Sequence, residues 1–382
     1  MKNDSDPGFS ATDHASMARA LRLAERGLFT TQPNPCVGCV IAHDAEVVGE
    51  GWHQRAGEPH AEVFALRVAG ERARGATAYV TLEPCSHHGR TPPCADALIE
   101  AGVARLVFAS EDPNPKVAGA GIRKMREAGI VVECGLMRDA ARELNRGFFS
   151  RFERGRPWVR VKLAMSLDGR TALANGESKW ITGEAARADV QRWRARSSAI
   201  LTGTGTARSD DPRLTVRMRD SKPHPHPNLS LEGEGFQPLR VVLDARLDAL
   251  QAGVHLLDGS APTLVLHAPG VKPKDGRYAR VELAGVPIGA NGHLDLGAAL
   301  RMLADRQVNE LQVEAGPALC GTLFEQKLVD ELLLYIAPVL LGDNARPLLT
   351  LPPLLDMAAR HHLRVVEQRR VGDDWRLLLR PA

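Results

Sequence analysis

Two short stretches decide the reading of the first half of this chain: His60-Ala61-Glu62, and the segment EPCSHHGRTPPC at 83–94, which carries Cys85 and Cys94. Zinc is held by imidazole nitrogen and thiolate sulfur in a tetrahedron. A catalytic zinc takes three protein ligands and leaves its fourth position to water. His60, Cys85 and Cys94 supply that set of donors. Such a site lowers the pKa of its water towards neutrality and makes hydroxide available at ordinary pH. Glu62 lies two residues beyond His60, is not required as a ligand, and is placed to carry a proton from that water to a leaving group. Cys94 follows Pro92-Pro93 at the opening of a helical run, where a helix N-terminus favours the thiolate that a metal needs. His87 and His88 lie between the two cysteines and stand as alternative ligands.

The surrounding periodicity gives these residues a frame. Val63, Leu66, Arg67 and Gly70 put 60–70 on a helix, 76–82 reads as a strand, and 95–102 is helical again. A strand at 105–109, a helix at 122–129 and a strand at 130–133 follow. Upstream, Met17, Ala20, Leu21, Ala24 and Leu28 fall at helical spacing with Asp13 as N-cap. Strands at 36–42 and 46–51 meet at the tight turn His43-Asp44. This order implies a sheet covered by helices on both faces. The pattern H-x-E followed by P-C-x-x-C is the signature of zinc deaminases that act on nucleobases. This chain departs from it, because eight residues rather than two separate Cys85 from Cys94. Cys36 and Cys39 form a C-x-x-C inside an apolar strand pattern with no second such pair, so they read as buried structural cysteines, and Cys134 and Cys320 as core.

The chain of 382 residues is long enough for two domains, and 44% hydrophobic with 25% charged residues is a globular balance. The break LNRGFFSRFERGRP places a boundary between domains at 1–150 and 158–382. The apolar run 332–341 is ten residues long with Pro338 inside it, too short to span a bilayer, and MKNDSDPGFS has no apolar signal region. A cytoplasmic protein without a membrane partner is expected. A formal net charge of +3 and 4% aromatics argue against a nucleic-acid partner. Strands are expected at 159–164, 199–202, 240–243, 263–267, 310–313 and 331–336, with a final hairpin of 362–369 and 375–380. Segment 221–238 holds four prolines and two glycines and reads as an exposed insert.

Two glycine-bearing turns compete as phosphate sites in this second half. Gly203-Thr204-Gly205 follows a strand but lacks a third glycine, and Asp210-Asp211-Pro212 interrupts the helix, so a Rossmann fold is rejected. The run 314–322, with Gly316 and Gly321, follows a strand and opens a helix near Pro317, whose amides suit a phosphate. A plain strand-to-helix turn is the competing reading.

The widened HHGRTPPC spacing, with NPCVG at 34–38 and the HAE triplet, resembles the bifunctional riboflavin-biosynthesis deaminase–reductases. VKLAMSLDGRTA (161–172), GESKWITG (176–183), GTGTARSDDPRLTVR (203–217) and VEAGPALCGT (313–322) resemble the reductase half of that family. The resemblance implies a cytidine-deaminase-like αβα sandwich followed by a dihydrofolate-reductase-like α/β domain. It implies zinc-dependent deamination of 2,5-diamino-6-(5-phosphoribosylamino)pyrimidin-4-one, then NADPH-dependent reduction of the ribosyl side chain to ribityl. Asn34, His53, Glu62 and Arg90 would then line the pyrimidine and phosphate pocket, the family often having Lys at Arg90. Ala164, Trp180, Thr206 and Asp210 would contact NADPH together with Gly316, Pro317, Ala318, Leu319, Cys320, Gly321 and Thr322. Ser178, Arg194, Leu214, Arg217 and Glu314 would hold the reductase substrate, with Lys162 and Asp168 adjacent to the site. Where this chain has Asp244-Ala245 the family commonly has a serine. The expected partners are thus small pyrimidine ribosyl phosphates, in a homo-oligomer. A nucleic-acid base deaminase with an accessory domain is the alternative, and a zinc-stabilised interaction module without turnover is a third reading.

Overall fold

The computed structural model describes residues 8–86, 93–115, 117, 119–217 and 237–382. Two compact units divide the chain, the first ending at Arg154 and the second beginning at Gly155.

The first unit runs through α1 (Ala11–Glu25), β1 (Gly38–His43), β2 (Glu46–Trp52), α2 (Ala61–Ala69), β3 (Thr77–Val80), α3 (Cys94–Glu100), β4 (Arg105–Phe108), α4 (Ala120–Glu127), β5 (Val131–Cys134), α5 (Arg138–Leu144) and α6 (Arg146–Arg154). Its sheet order is β2-β1-β3-β4-β5. β1 is antiparallel to β2 and β3, while β3, β4 and β5 run parallel. Successive strand residues face opposite ways. Cys39, Ile41, Ala78, Val80 and Leu106 accordingly pack under α2, α3 and α4, and Val40, Ala42, Tyr79 and Val107 pack under α1 and α5. Helices cover both faces, as the periodicity implied.

Two local readings are corrected. Ser10, not Asp13, caps α1: its hydroxyl accepts from Asp13 N, while the Asp13 carboxylate accepts from Ser10 N, a reciprocal capping box. The segment read as a break at 145–157 contains α6, whose Phe148 and Phe149 are buried against Leu82. Its arginines disguised an apolar helix face.

Close backbone approach sets the height of α2 above the sheet. A Cβ on Gly51 would lie 2.5 Å from Phe64 Cβ and 2.6 Å from the Ala61 carbonyl, and one on Gly49 would lie 2.3 Å from the Ala65 carbonyl. The first turn of this helix carries Glu62, with His60 as its N-cap. Replacing Gly51 by Val is therefore expected to cost about 1–3 kcal/mol by overpacking. Thermal unfolding should show a lowered Tm, and the purified variant should retain less metal.

The second unit contains β6 (Trp158–Ser166), β7 (Arg170–Ala172), α7 (Glu184–Arg196), β8 (Ala199–Gly203), α8 (Thr204–Asp210), β9 (Leu239–Leu243), β10 (Thr263–His267), β11 (Glu282–Gly285), α9 (Leu296–Asp305), β12 (Glu310–Val313), α10 (Pro317–Glu325), β13 (Glu331–Ala337), β14 (Arg346–Pro347), β15 (Leu363–Val371) and β16 (Asp374–Pro381). Nine strands form one sheet in the order β11-β10-β9-β8-β12-β6-β13-β16-β15. The first seven are parallel and the terminal hairpin is antiparallel. Parallel strands buried on both faces read as apolar runs, which is why 331–336 stood out in the sequence. Four buried arginines among the described residues are paired within this unit: Arg160 with Glu310 (2.6 Å) and Glu331 (2.7 Å), Arg376 with Asp189 (2.8 Å), Arg240 with Asp258 (3.3 Å) and Arg194 with Glu314 (2.7 Å). The helix after Gly203 ends at Asp210, and Asp211 takes a left-handed φ of 41°, so the Rossmann geometry is absent here. Most of the insert expected at 221–238, residues 221–236, lies outside the described residues. At its margin Gln237 and Val216 exchange hydrogen bonds of 2.9 and 3.3 Å, and Pro238 is buried, so the expected exposure does not hold for that residue.

Candidate active sites

In the first unit the chain brings His60, Cys85 and Cys94 together, their ligand atoms all within 4.8 Å of one another. His60 Nδ1 lies 3.5 Å from Cys85 Sγ and 3.3 Å from Cys94 Sγ. Cys94 is the first residue of α3, and its amide donates to Cys85 Sγ at 3.4 Å. That donor set fits zinc: one imidazole and two thiols converge, and the Cys85 thiol is driven down, first by its hydrogen bond with Cys94. The hydrogen bond to Cys85 raises His60 to about 9.

Glu62, in the first turn of α2, borders this cluster and is 3% exposed. Its Oε2 has no hydrogen-bond partner among the described residues. Burial, opposed by the His60 charge, pushes its carboxyl up to about 7. A buried carboxyl with one oxygen left without a partner beside a metal donor set is chemically able to take up and release a proton there.

His53 forms the adjoining wall, edge-on to His60 with ring centroids 5.4 Å apart. Its Nδ1 donates to the Pro59 carbonyl at 3.1 Å, which leaves Nε2 to accept from Asn34 Nδ2 at 3.1 Å. Burial lowers the His53 pKa, so the neutral ring is favoured. The Asn34 loop is held from below by Asn145, whose amide bonds both Cys36 N (2.7 Å) and Cys36 O (2.9 Å). Asn145 went unread in the sequence, since nothing local connects it to a residue 109 positions earlier. Arg90, His87 and His88 lie outside the described residues. Cys36 and Cys39 are buried, as is Cys320, whereas Cys134 is half-buried rather than core.

In the second unit a cavity of about 1460 Å³ opens at the carboxyl ends of the parallel strands. It is lined by Lys162 and Ala164 from β6, Ser178 and Trp180 from the loop before α7, Arg194 from α7, and Thr206 and Asp210 from α8. Leu214, Arg217, Glu314, Gly316, Pro317, Ala318, Leu319 and Thr322 complete the expected residues on its wall. Arg194 grips Glu314 through two bonds of 2.7 Å each. Despite its burial, the charge and hydrogen bonds of Arg194 hold the Glu314 carboxyl down to about 2. Burial lowers the Lys162 pKa against the pull of Glu314. Gly316 caps α10 without a side-chain hydrogen bond, and Pro317 opens the helix. The first-turn amides are thus available to an anionic group such as a dinucleotide phosphate.

Three of the expected residues are not on the cavity wall. Cys320 is fully buried in the core beneath α10, with its thiol towards the Ala315 carbonyl. Gly321 serves packing: a Cβ there would fall 1.9 Å from the Thr350 carbonyl. Asp168 does not line the cavity. Its carboxylate accepts from Ser166 and from the Leu341 and Gly342 amides (2.8 Å for the latter), stapling the β6–β7 turn to the segment after β13. Five arginines of the cavity wall, Arg187, Arg208, Arg213, Arg246 and Arg346, were not singled out in the sequence.

Comparison with known proteins agrees with both halves. The family model "RibD C-terminal domain" matches residues 157–377, and "Cytidine and deoxycytidylate deaminase zinc-binding region" matches 10–110. The riboflavin biosynthesis protein RibD of Escherichia coli K12 is 51% identical over 95% of this chain and 97% of its own length. That of Haemophilus influenzae is 48% identical over 98% of each. The solved structure of Acinetobacter baumannii RibD (form 1) is 43% identical with a TM-score of 0.87, covering 97% of this chain and 99% of that one. No described helix is long and apolar enough to cross a membrane. The nucleic-acid deaminase alternative is not favoured by these relatives, and a module without turnover does not fit them. The chain belongs to the RibD family of riboflavin-biosynthesis enzymes, and it joins a zinc-binding deaminase domain to a reductase domain in one bifunctional protein.

Proposed function

We propose that the first unit removes the 2-amino group of 2,5-diamino-6-(5-phosphoribosylamino)pyrimidin-4-one, and that the second reduces the ribosyl chain of the product to ribityl with NADPH. The observation that carries this reading is the buried Glu62 carboxyl beside the converging His60, Cys85 and Cys94 donors. A Thermotoga maritima structure titled as a diaminohydroxyphosphoribosylaminopyrimidine deaminase/5-amino-6-(5-phosphoribosylamino)uracil reductase supports the substrate class, at 31% identity and a TM-score of 0.82. The domain limits 1–150 and 158–382, a cytoplasmic location and homo-oligomeric assembly belong to the same reading.

His60, Cys85 and Cys94 would hold zinc, which when bound supplies a Lewis acid that eases ionisation of water at neutral pH. Glu62 takes a proton from the attacking water and returns it to the departing amino group, so one C–N bond breaks, a C–O bond forms and ammonia leaves. Asn34 and the neutral His53 ring offer polar atoms to the pyrimidine edge.

In the second unit the N–H groups of Gly316, Ala318 and Leu319 would seat the cofactor's pyrophosphate, Pro317 having none to give, and the cofactor supplies the hydride. Arg194, fixed by Glu314, and Arg217 would hold the sugar phosphate end, and Lys162 on the same cavity wall would deliver the proton taken up as hydride reaches C1′. The test is one cuvette holding the protein, the diaminopyrimidine and NADPH, followed at the nicotinamide absorbance band. Chelation should stop cofactor oxidation, and deaminated substrate should restore it without added metal. Oxidation of the diamino compound that ignores the chelator would contradict the order of steps.

A further inference from the structure

The loop that carries Asn34 is fastened by a side chain outside the chemistry of the first unit. We propose that Asn145 is a positioning residue for the deamination, acting through Cys36 to hold Asn34 against the His53 ring at the pyrimidine edge. This rests on reading the first unit as a pyrimidine deaminase.

The anchor is rigid. Asn145 is the C-cap of α5, and its backbone N–H donates to the Ala141 carbonyl at 3.2 Å. Its own carbonyl accepts from Phe149 N at 3.1 Å, so one residue serves the end of α5 and the start of α6. At 5% exposure its side chain is close-packed as well. Phe148 and Phe149 of α6 are buried with Leu82, and Val37 packs against the same cluster. Val37 follows Cys36, and Leu82 lies three residues before the metal donor Cys85. One element therefore bears on the loop that carries Asn34 and on the strand end that leads to the metal donors.

The fastening has two points. Asn145 Oδ1 accepts from Cys36 N at 2.7 Å, and its Nδ2 donates to Cys36 O at 2.9 Å. A side-chain amide offers the same donor and acceptor as a peptide, so here it stands in for a neighbouring strand. Two bonds fix the direction of the Cys36 backbone as well as its place. Asn34 lies two residues before this clamp. Its N–H donates to the Thr31 carbonyl at 2.8 Å, and the Thr31 hydroxyl lies 3.4 Å from Cys36 Sγ, so the loop closes on Cys36.

His53 is held by other means. Its N–H donates to the Val37 carbonyl at 2.9 Å, continuing the β1–β2 ladder, and its ring Nδ1 donates to the Pro59 carbonyl at 3.1 Å. Asn34 Nδ2 meets His53 Nε2 at 3.1 Å. Asn34 is thus the member of the pair whose place depends on the Cys36 clamp. Catalysis is sensitive to such a placement, because a shift of about 1 Å far from the chemistry can cost about 10²-fold in rate.

The test is a double-variant cycle on ammonia release by the full-length, zinc-loaded protein acting on the diaminopyrimidine. N145A should lower kcat/KM about 10²-fold. N34A should lower it too, and adding N145A to N34A should cost no more than about twofold further, since a residue that acts through Asn34 then has nothing to position. N145D keeps the size of the side chain but sets an oxygen against the Cys36 carbonyl. It should lose at least about tenfold, with the same dependence on Asn34. Each variant should hold one zinc per chain and oxidise NADPH at the wild-type rate with deaminated substrate. Wild-type kcat/KM in N145A, or equal losses with and without Asn34, would overturn the proposal and leave the deaminase reading in place. Loss of zinc or of folded protein in both Asn145 variants would also overturn it, making Asn145 a residue of the fold alone. Absence of ammonia release by the wild type would overturn the deaminase reading and the proposal with it.

Discussion

Replacing Glu62 by Gln should lower ammonia release by about 10²–10⁴-fold, the range of a lost general acid–base group. Gln keeps the size of the side chain and cannot take the proton. Two further readouts separate chemistry from collapse. The variant should still bind one zinc per chain, because Glu62 is not among the converging donors. It should also oxidise NADPH at the wild-type rate when given deaminated substrate, because the second cavity is lined entirely by residues from Lys162 onward. Substantial retained deamination would remove Glu62 from the mechanism.

The second large effect is expected at the Arg194–Glu314 pair. Both side chains are about nine-tenths buried, at 10% and 13% exposure. Taking the charge from one leaves the other buried without a counter-ion, which costs about 3–5 kcal/mol. Glu314→Gln should therefore unfold at markedly lower denaturant, and its reductase kcat/KM should fall about 10²-fold as Arg194 loses its orientation. The double variant R194M/E314M should recover most of the stability and none of the activity, since matched apolar groups replace a buried pair at little cost. The pH dependence has a defined sign. Glu314 has a folded pKa of about 2 against an ordinary 4.5. Its contribution is complete above about pH 4.5 and disappears as the pH falls towards 2. The stability gap between wild type and E314Q should narrow over that window, read by urea unfolding at a series of pH values.

The metal donors were legible because zinc chemistry restricts both residue type and number: HAE and two cysteines leave few alternatives even with the widened spacing. Six of the seven parallel strands of the second sheet were legible too, burial leaving apolar stretches such as 331–336, whereas the part-exposed β11 (Glu282–Gly285) was not read. Features that depend on tertiary packing were not. Helix α6 carries its apolar face among arginines, and only the fold shows Phe148 and Phe149 turned inward. Cys320 and Gly321 lie in a motif whose other members face the cavity. They occupy the opposite side of α10, with Leu323 and Phe324, and helical geometry would have separated the two sets. Asn145 acts across a long sequence distance, where no local pattern announces it.

The most direct test is X-ray absorption at the zinc edge of the intact, as-purified protein. The account predicts one zinc per chain with two sulfur ligands and the outer-shell scattering of a single imidazole, leaving one position for a light, non-imidazole donor. Absence of zinc, fewer than two sulfurs, or a second imidazole closing the site would contradict it.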